Sequence, residues 1–190
     1  MIIYLHGFRS SPASAKAQRL KKYLTERGLV HQFWCQPLPA HPQQAIQMIE
    51  EAISTAPDEP VLIGSSLGGY YATYLAEKHD LRAILINPAT YANQSLEPWL
   101  GPHINLYTGE RFVLTNEDIE VLRHLSLPVL TKPERFWLIV ETGDEVLDYR
   151  EAVSRYAGAR QTVIEGGDHS LQHFPELLEA MVEFAVPGQA

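Results

Sequence analysis

The chain has 190 residues, 45% hydrophobic and 20% charged, with 23 acidic against 15 basic residues and a formal net charge of −8. This is an ordinary globular composition for a single domain spanning 1–190, and acid spread along the chain argues against a polyanionic partner such as nucleic acid. No apolar run approaches bilayer length, Met1 to His6 lacks a signal peptide's basic start and long apolar core, and the lone Cys35 excludes an internal disulfide, so the expected setting is the cytoplasm without membrane insertion.

Ile2 to Leu5 is a β-favouring run that ends at His6-Gly7-Phe8-Arg9, a strand followed by a glycine-bearing loop. Residues 12–27 follow as a helix, with Pro12 in its first turn, Leu20, Tyr23, Leu24 and Arg27 at helical spacing, and Gly28 placed to end it. Its Lys16, Arg19, Lys21 and Lys22 read either as a solvated outer face or as an attraction for an anionic substrate group near the loop. Residues 30–35 make a second strand, closed by Pro37-Leu38-Pro39. Pro42 opens a helix of about fifteen residues, with an apolar stripe at Ala45, Ile46, Ile49, Ala52 and Ile53.

Val61-Leu62-Ile63 is the third strand. It runs into Gly64-Ser65-Ser66-Leu67-Gly68 and then into a helix from Gly69 onward, which is the strand, sharp turn and helix that the G-x-S-x-G pattern requires. The serine at the centre is Ser66, because Ser65 would be flanked by Ile63 and Leu67, which leave no room. Ala83 to Ile86 is the fourth strand, closed by Asn87-Pro88. Strands alternating with helices predict a parallel sheet covered on both faces.

Between Ala89 and Glu134 the alternation breaks, with one convincing helix over about 117–125, capped by Asn116. So long an excursion between strands reads as an inserted lid or binding loop. Its Leu96, Trp99, Leu106 and Phe112 are candidates for covering a substrate, or equally for packing the insertion onto the rest. Phe136 to Val140 is the fifth strand. A helix follows from about 149, with Asp148 and Glu151 spaced as a capping box, then a sixth strand at 161–164 and a last helix from Pro175.

Acyl transfer by a serine needs a base, a carboxylate to orient the base, and donors for the oxyanion. His169, in the glycine-flanked loop after the sixth strand, is the histidine placed to reach over the strand ends. His173 lies four residues on, but the stretch lacks the glutamate of the zinc-protease pattern, and no metal is expected. For the carboxylate, Glu141, Asp144, Glu145, Asp148 and Asp168 compete. Asp144 follows a strand end and a turn-permitting glycine, Asp148 already has a capping task, and Asp168 adjoins the histidine, from which its side chain should diverge. The order Ser66, Asp144, His169 is that of the α/β hydrolases. The backbone N–H groups of Leu67, after the nucleophile, and of Phe8, in the first loop, are the candidate oxyanion donors.

His6-Gly7-Phe8, Gly64 to Gly68, Asp144 in Gly143-Asp144-Glu145-Val146 and His169 in Gly167-Asp168-His169-Ser170 resemble the α/β-hydrolase superfamily, and the short chain resembles its small bacterial YqiA-type esterases. The resemblance implies a trimmed α/β-hydrolase fold, with six parallel strands in spatial order 2-1-3-4-5-6 and 89–134 inserted over the active site. It also implies a serine hydrolase that cleaves small to medium esters or thioesters through an acyl-enzyme, with no cofactor. The alternative is a catalytically silent small-molecule-binding domain of the same fold.

Overall fold

Apolar runs without polar interruption are what a strand needs when both of its faces are covered, and four runs of this chain become the middle of one sheet. The computed structural model describes residues 1–188. In chain order its elements are β1 (Ile2–Leu5), α1 (Ala15–Glu26), β2 (Phe33–Trp34), α2 (Pro42–Ser54), β3 (Val61–Ser65), α3 (Leu67–His79), β4 (Ala83–Ile86), α4 (Ala92–Leu96), β5 (Gly101–Ile104), β6 (Arg111–Leu114), α5 (Asn116–His124), β7 (Phe136–Glu141), α6 (Tyr149–Arg155), β8 (Arg160–Ile164) and α7 (Phe174–Ala185).

The main sheet has six parallel strands in the order β2-β1-β3-β4-β7-β8, which is the expected order once the two strands of the insertion are set aside. Alternation along each strand divides the core in two. Ile2, Tyr4, Ile63, Ile84, Ile86, Trp137 and Ile139 pack beneath Leu20 and Leu24 of α1 and Phe174, Met181 and Val182 of α7. Their neighbours Ile3, Leu5, Leu62, Leu85, Phe136, Leu138 and Val140 meet Ile49 of α2, Tyr71 and Leu75 of α3 and Ala152 of α6. The strand order reverses between β1 and β3, and in open sheets of this kind ligands bind outside the carboxyl ends of the strands at such a point.

Several boundaries depart from the sequence reading for local reasons. The first helix starts at Ala15 rather than Pro12, because the Ser11 hydroxyl takes the Ala13 N–H and Ser14 N bonds Ser11 O, closing a separate turn first. The second strand keeps only two residues, since Val30–Gln32 form a 3₁₀ turn. Thr115, not Asn116, caps α5, in a reciprocal box with Asp118. Asp148 does cap α6, through the Arg150 N–H, but Glu151 does not complete a box and instead accepts the Thr90 hydroxyl. The insertion holds more structure than one helix: β5 and β6 form an antiparallel hairpin, and α4 precedes it.

Candidate active site

At the end of β3 the chain reverses within one residue. Ser66 has φ 54° and ψ −121°, a backbone conformation that costs free energy for a residue with a side chain and persists only where the surroundings impose it. Close packing imposes it here. A Cβ on Gly68 would lie 2.1 Å from Leu5 O, and one on Gly64 would lie 2.2 Å from Gly68 O, so strand and helix pass too closely for any larger residue. Ser66 O then accepts from Gly69 N, Tyr70 N and Ala89 N, and α3 begins at once. Both serines border one cavity, where Ser65 is buried and Ser66 is partly exposed.

That cavity, about 310 Å³, is lined by Ser66 and His169 together. His169 Nδ1 bonds Asp144 Oδ2 at 2.8 Å, which leaves Nε2 as the free ring nitrogen. Asp144 is preset for this contact. Its Oδ1 accepts the N–H groups of Val146 and Leu147, both at 2.8 Å, and its side chain is only 2% exposed. Burial would raise its pKa, but the bond from His169 and these two N–H groups outweigh that and hold it below the usual aspartate value. The rival carboxylates have other partners. Asp168 turns back on its own loop, accepting Ser170 N and Gln172 Nε2. Glu145 accepts the His169 backbone N–H, and the wholly buried Glu141 accepts from Asp168, Gln172 and His173.

The loop after β1 flanks the serine from the other side. His6 is buried, accepts Leu38 N–H through Nε2 at 3.0 Å and so donates through Nδ1 to Gly7 O. Burial lowers its pKa, in keeping with a neutral ring that organises the loop. A Cβ at Gly7 would stand 3.1 Å from Ser66 Cβ and 3.3 Å from Ser65 O, so a larger residue there would crowd the serine. Phe8 lines the cavity, and its ring packs edge-on against Phe112 and His103. Leu67 heads α3, so its N–H has no acceptor one turn back within the helix.

The hairpin of the insertion lies against this same loop. Leu106 N and Asn105 Nδ2 donate to Arg9 O and Ser10 O, and Arg9 Nε donates to Ile104 O. Of the four insertion residues singled out from the sequence, only Phe112 turns its side chain to the Phe8 loop, in a small cleft next to the serine cavity. Leu96 is instead a core residue, buried with Leu114, Ile119 and Leu122. Trp99, 49% exposed, stacks near His103, and Leu106, 69% exposed, points its apolar side chain to solvent. Hydropathy alone could not separate these cases, because an apolar side chain on an insertion can cover the core, the site or neither. The residues that line the serine cavity and were not singled out from the sequence include Tyr4, Ser10, Ser14, Ala15, Tyr107 and Ser170. Glu145, a rival carboxylate in the sequence, and Lys16, the one member of the basic stretch to do so, line it as well.

A sequence profile described as an uncharacterised protein family, UPF0227, matches residues 1–186. A UPF0227 protein from Shewanella woodyi is 31% identical over 94 residues, 46% of this chain and 50% of that one, so the chain spans about half the length of the curated relatives it matches. Among solved structures, mouse alpha/beta hydrolase domain-containing protein 10 superposes with TM-score 0.71 at 17% identity, covering 96% of this chain and 87% of that one. The monoacylglycerol lipase of Paleococcus ferrophilus does so with TM-score 0.66 at 16% identity, covering 100% and 94%. At these identities the likeness is one of fold, and the fold is that of the α/β hydrolases.

Proposed function

This chain belongs to the UPF0227 family, and we propose that it is a serine hydrolase that cleaves carboxylic esters or thioesters of small to medium size. The observation that carries the reading is a strained Ser66 sharing one cavity with a histidine whose far nitrogen is held by Asp144. A structural serine has no need of φ 54° at the head of a helix. A nucleophile does, since the turn lifts its Oγ clear of the sheet.

In the proposed mechanism Ser66 Oγ attacks the acyl carbon while His169 Nε2 takes its proton, and Asp144 holds the ring in the tautomer that leaves Nε2 free and steadies the imidazolium that forms. The N–H groups of Leu67 and Phe8 receive the oxyanion. His169 passes the proton to the departing alcohol or thiol, leaving an acyl-serine. Water, deprotonated by His169, then attacks the acyl-serine and restores the enzyme. No step needs a cofactor or a metal. A cavity of about 310 Å³ stands at the lower end of the range for small-molecule sites, which suits substrates of small to medium size.

A fluorophosphonate probe tests the reading directly. We expect it to label Ser66 and to block hydrolysis of p-nitrophenyl esters. A folded protein that neither takes the probe nor turns over any ester would be a binding domain instead.

A further inference from the structure

The acyl-transfer chemistry leaves one wall of the serine cavity unused. Ser14, Ala15 and Lys16, at the start of α1, form that wall. Ser14 is the N-cap residue, in extended backbone, but its side chain makes no capping bond. Its Oγ is buried and without a hydrogen-bond partner, in a residue more than nine-tenths buried. Serines at this position normally turn back to a first-turn N–H, and buried hydroxyls are seldom left unpaired. The N–H groups of Ala15, Lys16 and Ala17 have no acceptor within this twelve-residue helix, and no acidic residue stands in its first turn.

Lys16 adds a full charge at the same place. Its Nζ donates to Ser170 O, on the loop of His169, at 2.9 Å, which leaves two further N–H groups for an acceptor. Burial pushes its pKa down to about 8, against the pull of Asp168, Asp144 and Glu141. Glu145 also borders the cavity, but its Oε2 is engaged by the His169 N–H. The wall thus sets a cation and the positive end of a helix beside the cavity of the nucleophile, with a buried, unpartnered hydroxyl at the same place, the combination that receives anions.

We infer that this wall is an anion subsite: the substrate carries a carboxylate or phosphate that Lys16, Ser14 and the first turn of α1 hold while its acyl carbon lies at Ser66. The inference deepens the hydrolase reading and rests on it. A purely structural Lys16 would fasten α1 to the histidine loop and show no preference for substrate charge.

Matched ester pairs separate the two. One pair places the charge on the acyl side, mono-p-nitrophenyl adipate against its methyl ester. A second places a carboxylate on the leaving group, 4-acetoxybenzoate against methyl 4-acetoxybenzoate, and a third uses the phosphate monoester of 4-acetoxyphenol against 4-acetoxyphenol itself. The expected result is a kcat/KM ratio of about tenfold or more for the charged member of at least one pair, the scale of one charge-assisted hydrogen bond. Lys16→Gln should bring that ratio close to one, Lys16→Arg should keep most of it, and Ser14→Ala should lower it. No preference in any pair, or a preference that survives Lys16→Gln, overturns the subsite. If the parent hydrolyses none of the esters, the hydrolase reading fails separately. The subsite is then judged by thermal stabilisation with adipate or inorganic phosphate at matched ionic strength: stabilisation lost in Lys16→Gln upholds it, and none in the parent overturns it.

Discussion

The carboxylate of Glu141, wholly buried at the end of β7, accepts both the backbone N–H and the Nδ1–H of His173 through one oxygen, at 2.9 and 2.7 Å. Its other oxygen accepts Asp168 N at 2.6 Å and Gln172 N at 3.0 Å. Asn87, at the end of β4, completes the brace: its Oδ1 accepts Glu141 N, and its Nδ2 donates to Asp168 O and His169 O. The loop bearing His169 is therefore moulded around one buried anion and one buried amide, neither of which touches the cavity.

Glu141→Gln should lose about 3 kcal/mol of stability, since an amide nitrogen would face donors that a carboxylate satisfied. Glu145→Gln, at an exposed position, should change stability by well under that. Urea unfolding of both variants checks the contrast, and a Glu141→Gln midpoint equal to the parent's would mean that the loop does not depend on this anion.

The same pair predicts how stability varies with pH. Burial would raise the Glu141 pKa, but the bonds from His173, Asp168 and Gln172 override it and leave it lowered. Its stabilisation is complete above the unfolded glutamate value of about 4.3 and is lost as pH falls through the lower folded value. His173 is shifted up by its bond to Glu141, so its share is complete below the unfolded histidine value of about 6.5 and is lost as pH rises through the higher folded value. Subtracting the pH profile of a His173→Gln variant from that of the parent should isolate this upper loss. A difference that grows with rising pH would contradict the sign.

For the proposed triad, Ser66→Ala should abolish ester hydrolysis while Ser65→Ala keeps most of it. Asp144→Asn should lower kcat by about 10⁴-fold, the size of the tautomer effect in a serine protease, while Asp148→Asn should cost at most about 1 kcal/mol of stability through its cap. Parallel kinetics and melts decide between the two aspartates, and the reverse pattern would move the orienting carboxylate to Asp148.

Gly7→Ala tests the proposed oxyanion loop. The new methyl would press on Ser66 Cβ at 3.1 Å and shift the Phe8 N–H from its place. The expected result is a fall in kcat of about 10²-fold, comparable to losing one oxyanion donor, with KM and melting temperature changed far less. Equal losses in kcat and in stability would make the glycine a folding requirement only.

Within the insertion, Leu96→Ala should destabilise by about 2–4 kcal/mol as a core truncation, whereas Trp99→Ala and Leu106→Ala should leave ester kinetics unchanged. Tyr107→Ala, at a residue that lines the cavity, should raise KM. A chain-length preference altered by Trp99→Ala or Leu106→Ala would show that the hairpin closes further over the substrate.

The sequence by itself determined the sheet, its layers and the loops that carry the candidate site residues. Unbroken runs such as Ala83 to Ile86 have one stable solution, burial on both faces. The pentapeptide around Ser66 needs its glycines because backbone passes backbone there, and the glycine-bearing loops after strand ends put Asp144 and His169 within reach of each other. These are local constraints, readable over a few residues. The tertiary structure decided what depends on which distant surfaces meet. The pairing of Gly101–Ile104 with Arg111–Leu114 was hidden because the strands are short and largely exposed, and glycine and proline open the first. Leu96 went to the core and Trp99 to the surface, although both read as apolar residues of one insertion. Glu141, a rival for the triad in sequence, is the buried template of the histidine loop, and Ser14 and Lys16, read as parts of a helix start and a basic stretch, line the cavity of Ser66. Each of these assignments depends on which surfaces meet in the folded chain, and spacing along one chain does not encode which of several chemically equivalent groups will meet them.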